Sequence, residues 1–168
     1  MERDRISSLI TQLQAYQEAV NQADIEALMA LFHEDASVDD EGVSFQVRPF
    51  HEYGIGTQEQ IILSDFTLEG DRIMCLCHAT NALSRALAYS GKPLKMHFMF
   101  RGERIARLEI PRSDVEEAKR LHQISDPFFT WVRENHPQQW VIMSTVTSDG
   151  GKTLAALAQA WQVSERSE

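Results

Sequence analysis

Four runs with strand character follow one another between residues 61 and 110, and this spacing constrains the fold more than any other feature. They are Ile61 to Leu68, Ile73 to Leu83, Leu94 to Phe100 and Arg104 to Ile110. Glu69-Gly70-Asp71, Ser90-Gly91-Lys92-Pro93 and Arg101-Gly102-Glu103 separate them, and each carries turn chemistry. Connections this short join neighbouring strands head to tail, so the spacing predicts an antiparallel meander. Alternation along the third run puts Leu94, Met96, Phe98 and Phe100 on one face, and Lys95, His97, Met99 and Arg101 on the other. A sheet with one apolar face needs cover.

The cover is predicted at the N-terminus. Ile6, Leu9, Ile10, Leu13, Tyr16 and Val20 recur at helical spacing, which predicts an amphipathic helix from about Arg3 to Asn21 with Tyr16 on its buried stripe. Asp24 is the expected N-cap of a second helix, whose apolar face is Ile25, Leu28, Met29 and Phe32 and which ends near His33 to Asp35. The period then changes. Ser37 to Asp40 is expected to open a strand, Gly42 to turn it, and Val43 to Val47 to return. Pro49 to Gln60 has two glycines and no clean period, and is read as a loop or a short helix.

Beyond the meander the pattern is helical again. Ser113 and Glu116 form an expected capping box for Val115, Ala118 and Leu121. Asp126-Pro127 is expected to start a further helix that Asn135-His136-Pro137 stops, and a last helix, about Lys152 to Val163, buries Leu154, Leu157 and Trp161. No repeat or linker divides the 168 residues, so one domain of α+β class is expected, with helices on one face of a curved sheet. The net charge of −9 repels polyanions, which argues against nucleic acid and anionic membrane surfaces as partners and leaves small molecules and proteins. Cys75 and Cys77 are too few for a disulfide framework and are read as small core residues. MERDRISS has no apolar stretch behind its charges, and no segment reaches the length of a membrane span, so a cytoplasmic location is expected.

The run Tyr16 to Asp40 resembles the opening of the nuclear transport factor 2-like superfamily, in particular its ketosteroid isomerase and SnoaL-like polyketide cyclase branch. The matching pieces, in order, are a tyrosine on the first helix, Ala19 and Asn21, the Ala23-Asp24 pair, the helix ending in Leu31-Phe32, Glu34-Asp35-Ala36, and the acid-rich strand Asp39-Asp40. Met96 to Ile105 resembles the penultimate hairpin of the same fold. The resemblance covers about residues 6 to 110. It implies a cone-shaped curved sheet wrapped round the N-terminal helices with an apolar pocket between them, and residues 111 to 168 are then a C-terminal helical extension. It also implies pairing of two copies through the outer sheet face.

In ketosteroid isomerases the oxyanion hole is a first-helix tyrosine with a protonated late-strand aspartic acid, and a first-strand aspartate moves the proton. The resemblance puts Tyr16 at the tyrosine and Asp40 at the base, with Phe32, Tyr53, Met96, Phe98 and Phe100 lining the pocket. It also puts Met96 where the late-strand aspartic acid stands, and a thioether cannot donate a hydrogen bond to an enolate. Glu41-Gly42 follows Asp40 where those isomerases tend to have proline. Two expectations therefore stand together. One is a cofactor-free isomerase, cyclase or dehydratase acting on a small apolar carbonyl compound; the other is a non-catalytic binding or assembly module.

The remaining motifs have structural explanations. Six histidines, at 33, 51, 78, 97, 122 and 136, lack metal-ligand spacing, so neither a metal nor another cofactor is expected. Gly150-Gly151-Lys152-Thr153 lacks the glycine of a phosphate loop five positions before Gly151, where Val146 stands. Phe128, Phe129, Trp131, Trp140 and Trp161 are read as packing for the C-terminal helices.

Overall fold

A computed structural model describes residues 2–112 and 114–165 of the chain, without the side chains of residues 2 and 3. Two compact units divide it: residues 1–48, 61–79 and 93–112 form one, and residues 49–60, 80–92 and 113–168 the other. No helix among the described residues is long and apolar enough to cross a membrane.

The first unit opens with helix α1 (Glu2–Asn21), which buries Leu9, Leu13, Tyr16, Ala19 and Val20 along one stripe. Asp24 caps α2 (Ile25–Leu31), its carboxylate accepting from the Ala27 amide at 3.0 Å. Six strands then form a curved, open sheet: β1 (Phe32–Asp40), β2 (Val43–Gln46), β3 (Gln60–Glu69), β4 (Arg72–Thr80), β5 (Leu94–Arg101) and β6 (Arg104–Ile110). Their order is β2-β1-β6-β5-β4-β3. The expected meander is therefore present, and β1 joins it by a parallel pairing with β6, which makes the sheet mixed. Gln17 and Asn21, one helical turn apart, fasten α1 to the edge strand. The Leu63 amide donates to Gln17 Oε1 at 2.7 Å, while Asn21 donates to the Ile61 carbonyl at 2.9 Å and accepts from the Ile61 amide at 2.7 Å. Edge backbone that would recruit another strand is thus occupied by side chains.

Local differences from the sequence expectation have physical causes. Helix α2 stops at Leu31, and Phe32 adopts extended backbone because it is buried opposite Ile105 of β6. The strand therefore begins five residues before Ser37, with an irregularity between Phe32 and Ser37. The apolar run after Ile73 is a strand only to Thr80. Asn81 and Ser84 then cap each other reciprocally and start α4 (Ala82–Ala86). Pro49 to Gln60 resolves as mostly helix, within α3 (Val47–Gly56).

The second unit is helical: α3 from residue 49, α4, α5 (Val115–Asn135), α6 (Pro137–Met143) and α7 (Ser148–Glu165). Asp114 caps α5, accepting from the Glu116 and Glu117 amides, while Ser113 of the expected capping box lies outside the described residues. The helix expected to start at Asp126-Pro127 is instead the continuation of α5. Proline in a helix interior costs about 3 kcal/mol. Here Phe128 and Val132 are fully buried just beyond, which offsets that cost. Phe128 meets Phe129, Trp131 and Trp161 at centroid distances of 5.2, 6.4 and 5.8 Å, so the aromatic set is core packing. Cys75 and Cys77 are buried free cysteines, and burial pushes the Cys75 thiol up to about 12.

Helix α7 starts at Ser148, four residues before the expected Lys152, so Gly150 and Gly151 lie inside it. A Cβ on Gly151 would sit 2.2 Å from the Tyr53 carbonyl oxygen, and one on Gly150 would sit 2.0 Å from the Thr145 carbonyl oxygen. The pair therefore serves close backbone packing of α7. Gly151→Ala should lower unfolding stability by about 3 kcal/mol, read from the denaturant midpoint, because backbone must move. The exposed Gln159→Ala on the same helix should leave it unchanged within about 0.5 kcal/mol.

Candidate functional site

The acid triplet Asp39-Asp40-Glu41 is sorted by the strand and its turn. Glu41 and Gly42 both take positive φ, 53° and 88°, as a two-residue type I′ hairpin requires. Asp39 serves that turn, accepting from the Gly42 amide at 3.0 Å. Asp40 falls on the opposite face, in step with Val38, which is fully buried. Its carboxyl is held above the ordinary aspartate range, first by burial and then by the neighbouring charges of Glu41 and Asp39.

Strand register places Asp40 relative to the other expected site residues. Ile73, Phe98, Leu108 and Val38 form one cross-strand row on the apolar face. In the adjoining row Asp40 stands opposite Ile110, and Cys75 opposite Met96. Continuing the antiparallel register one step past His97 and Glu109 brings Met96 opposite Ile110, so Asp40 and Met96 share a row with one strand between them. Met96 is buried. A bulge between Met99 and Phe100 keeps Leu108 and Ile105 on the same face although they are three residues apart.

Tyr16 reaches this face from α1. Its ring meets Phe98 edge-on at 5.3 Å and Phe32 at 6.1 Å, and Tyr16 is 3% exposed. Phe32, Met96 and Phe98 are thus gathered with Tyr16 on the helix-covered side, and Phe100 is half-buried along the same strand. Tyr53 belongs to the second unit, where its hydroxyl donates to the Met143 carbonyl at 3.4 Å and burial raises its pKa. His51 is buried in that unit on the same helix. Among the described residues no three His, Cys, Asp or Glu side chains form a group able to hold a metal ion.

Alternation also builds a second feature that no sequence motif announces. Asp39, His97, Arg107 and Glu109 point away from the apolar face and, with Arg72 and Arg112, line a groove of about 420 Å³. The only signal in the sequence is the polar half of each alternating strand.

Because Asp40 has a folded-state pKa above its unfolded value of about 3.9, its ionisation disfavours the fold. The contribution of Asp40 to stability should fall as pH rises from its unfolded pKa through its folded one. Asp40→Asn should therefore melt above the wild type at pH 7, by less than about 1 kcal/mol given partial solvent screening, and the difference should vanish below about pH 3.9. Thermal melts across that range check it.

The sequence matches no protein-family model, and comparison with the curated proteins finds no relative. Solved structures do match. A protein designated a polyketide cyclase from Xanthomonas campestris aligns at TM-score 0.50 and 22% identity, over 71% of this chain and 98% of that one. AclR of Streptomyces galilaeus, designated a hydroxylase, aligns at TM-score 0.53 and 12% identity, over 71% and 86%. Bal32a from a soil-derived mobile gene cassette aligns at TM-score 0.51 and 17% identity, over 68% and 95%. At these identities the likeness is one of fold. The chain has the nuclear transport factor 2-like fold that its opening 40 residues and its penultimate hairpin resemble.

Proposed function

We propose that the protein binds a small apolar carbonyl compound against the helix-covered face of its sheet, with Asp40 moving a proton next to the carbonyl and Tyr16 donating to its oxygen. The observation that carries this reading is the placement of Asp40: a half-buried carboxyl with a raised pKa on an otherwise apolar face, in one row with Met96. A carboxylate whose pKa rises toward neutrality is a better proton acceptor than one at its ordinary value. Phe32, Met96 and Phe98 supply the apolar wall, and Phe98 also orients the Tyr16 ring.

Met96 sets the limit of that chemistry. With sulfur where a second donor would stand, the developing oxyanion has one partner from this pair of positions rather than two. A missing donor of this kind costs about 2.7–4 kcal/mol of transition-state stabilisation, roughly a hundred- to a thousandfold in rate. The second reading, a non-catalytic binding module, is favoured by this one residue.

Deuterium exchange next to the carbonyl of model ketones separates the two. Wild type should exchange slowly but above buffer, Asp40→Asn should fall to the buffer rate, and Tyr16→Phe should fall about tenfold or more. Met96→Asp should raise the rate, because its carboxyl would stand in a buried row with Asp40, stay protonated and supply the second donor. Exchange at the buffer rate in wild type and Met96→Asp alike, with a ketone still bound, would establish the binding module instead.

A further inference from the structure

Two polar side chains of α1 bond to β3 as a neighbouring strand would. β3 ends the sheet order, so its outward backbone has only α1 to bond to on that side at Ile61 and Leu63. Both residues bury their side chains, at 4% and 8% exposure, and turn backbone groups toward the helix. The Asn21 carboxamide makes both bonds of a peptide pair with Ile61, and Gln17 Oε1 accepts from the Leu63 amide. Three directional bonds therefore join a helix to a strand 40 or more residues away in the chain.

The two periods match at this spacing. Four residues of helix rise about 6 Å and two residues of strand about 6.8 Å, so Gln17 and Asn21 reach Leu63 and Ile61 together. Bonds of 2.7–2.9 Å tolerate little stretching, so an axial slide of α1 by one residue, about 1.5 Å, would break all three. Apolar packing of Leu9, Leu13 and Val20 resists such a slide weakly, because it is non-directional. Tyr16 immediately precedes Gln17 and lies on the buried stripe. Phe98 meets its ring edge-on at 5.3 Å and sets the tilt; the clamp sets how far along the sheet the ring stands. That distance matters, since a displacement of about 1 Å at a reacting group costs about a hundredfold in rate.

We propose that Gln17 and Asn21 are positioning residues for Tyr16: by locking α1 in register with Ile61 and Leu63 they hold the phenol where it can donate to a carbonyl oxygen. This rests on the reading of Tyr16 as that donor. Neither amide touches the ligand, and both act through the setting of the helix.

The test uses the full chain isotope-labelled at the tyrosine Cζ, with the Tyr16 NMR signal assigned by its loss in Tyr16→Phe. Gln17→Met keeps the length and loses the amide oxygen, and Asn21→Asp sets an oxygen against the Ile61 carbonyl; each should move the Tyr16 signal by more than its linewidth. Gln17→Glu keeps an acceptor for the Leu63 amide and should leave the signal in place. With cyclohexanone as the probe, Gln17→Met should slow deuterium exchange next to the carbonyl about tenfold at saturation, with KM within about twofold, and Gln17→Glu should restore the rate. The loss should vanish in the Tyr16→Phe background, as it must if Gln17 acts through Tyr16. An unmoved Tyr16 signal overturns the proposal, and so does a loss that is equal in both backgrounds, which would mean a role in folding only. Exchange at the buffer rate in wild type overturns the carbonyl reading alone, and the Tyr16 signal then decides the clamp. Gln17→Met keeps the test valid if Asn21→Asp does not fold.

Discussion

Phe98 is the residue on which the first unit turns. It is fully buried in β5, stands between Ile73 and Leu108 in the sheet, and receives the Tyr16 ring from α1 at 5.3 Å. Edge-on aromatic pairs of this kind contribute about 0.5–1.5 kcal/mol beyond the area they bury, and they favour one relative orientation of the rings. The contact therefore does two things. It helps seat the helix on the sheet, together with Gln17 and Asn21 at the edge strand, and it fixes the rotational setting of the tyrosine.

From that seat the two-residue period of the strands distributes the chemistry. Asp39 and Asp40 are adjacent in sequence and chemically alike, yet one anchors a turn beside a charged groove and the other lies on an apolar face. A register slip of one residue would exchange them. The type I′ turn at Glu41-Gly42 and the parallel pairing with β6 hold the register that keeps them apart. The bulge at Met99/Phe100 performs the same service for β6, bringing Ile105 and Leu108 to one side despite their odd spacing.

Much of this was legible in the residues themselves. Amphipathic spacing located α1, the Asp24 cap located the start of α2, and turn chemistry located β3, β5 and β6 to within a residue or so. What local signals missed were the places where burial overrides them. Phe32 has the spacing of a helical residue but pairs in the sheet; Pro127 is a breaker, but α5 continues through it because Phe128 and Val132 are buried beyond. Gly150-Gly151 looks like a loop, yet lies inside α7 because another backbone comes within reach of where a side chain would be. Helix propensity is a local quantity of at most about 0.7 kcal/mol per residue for residues other than glycine and proline, and packing against distant parts of the chain readily exceeds it.

By itself, the sequence determined the class of element at most positions and the polarity of each face, because these depend on side-chain type and short-range period; the candidate groups Tyr16, Asp40 and Met96 came from the resemblance to a known family. Only the tertiary structure decided which of those groups share a row, that Asp40 is partly desolvated while Asp39 is spent on a turn, and that Arg72 of β4 lines one groove with Arg107 and Arg112. Desolvation and convergence are properties of residues far apart in the chain. They come into existence when the strands take their register.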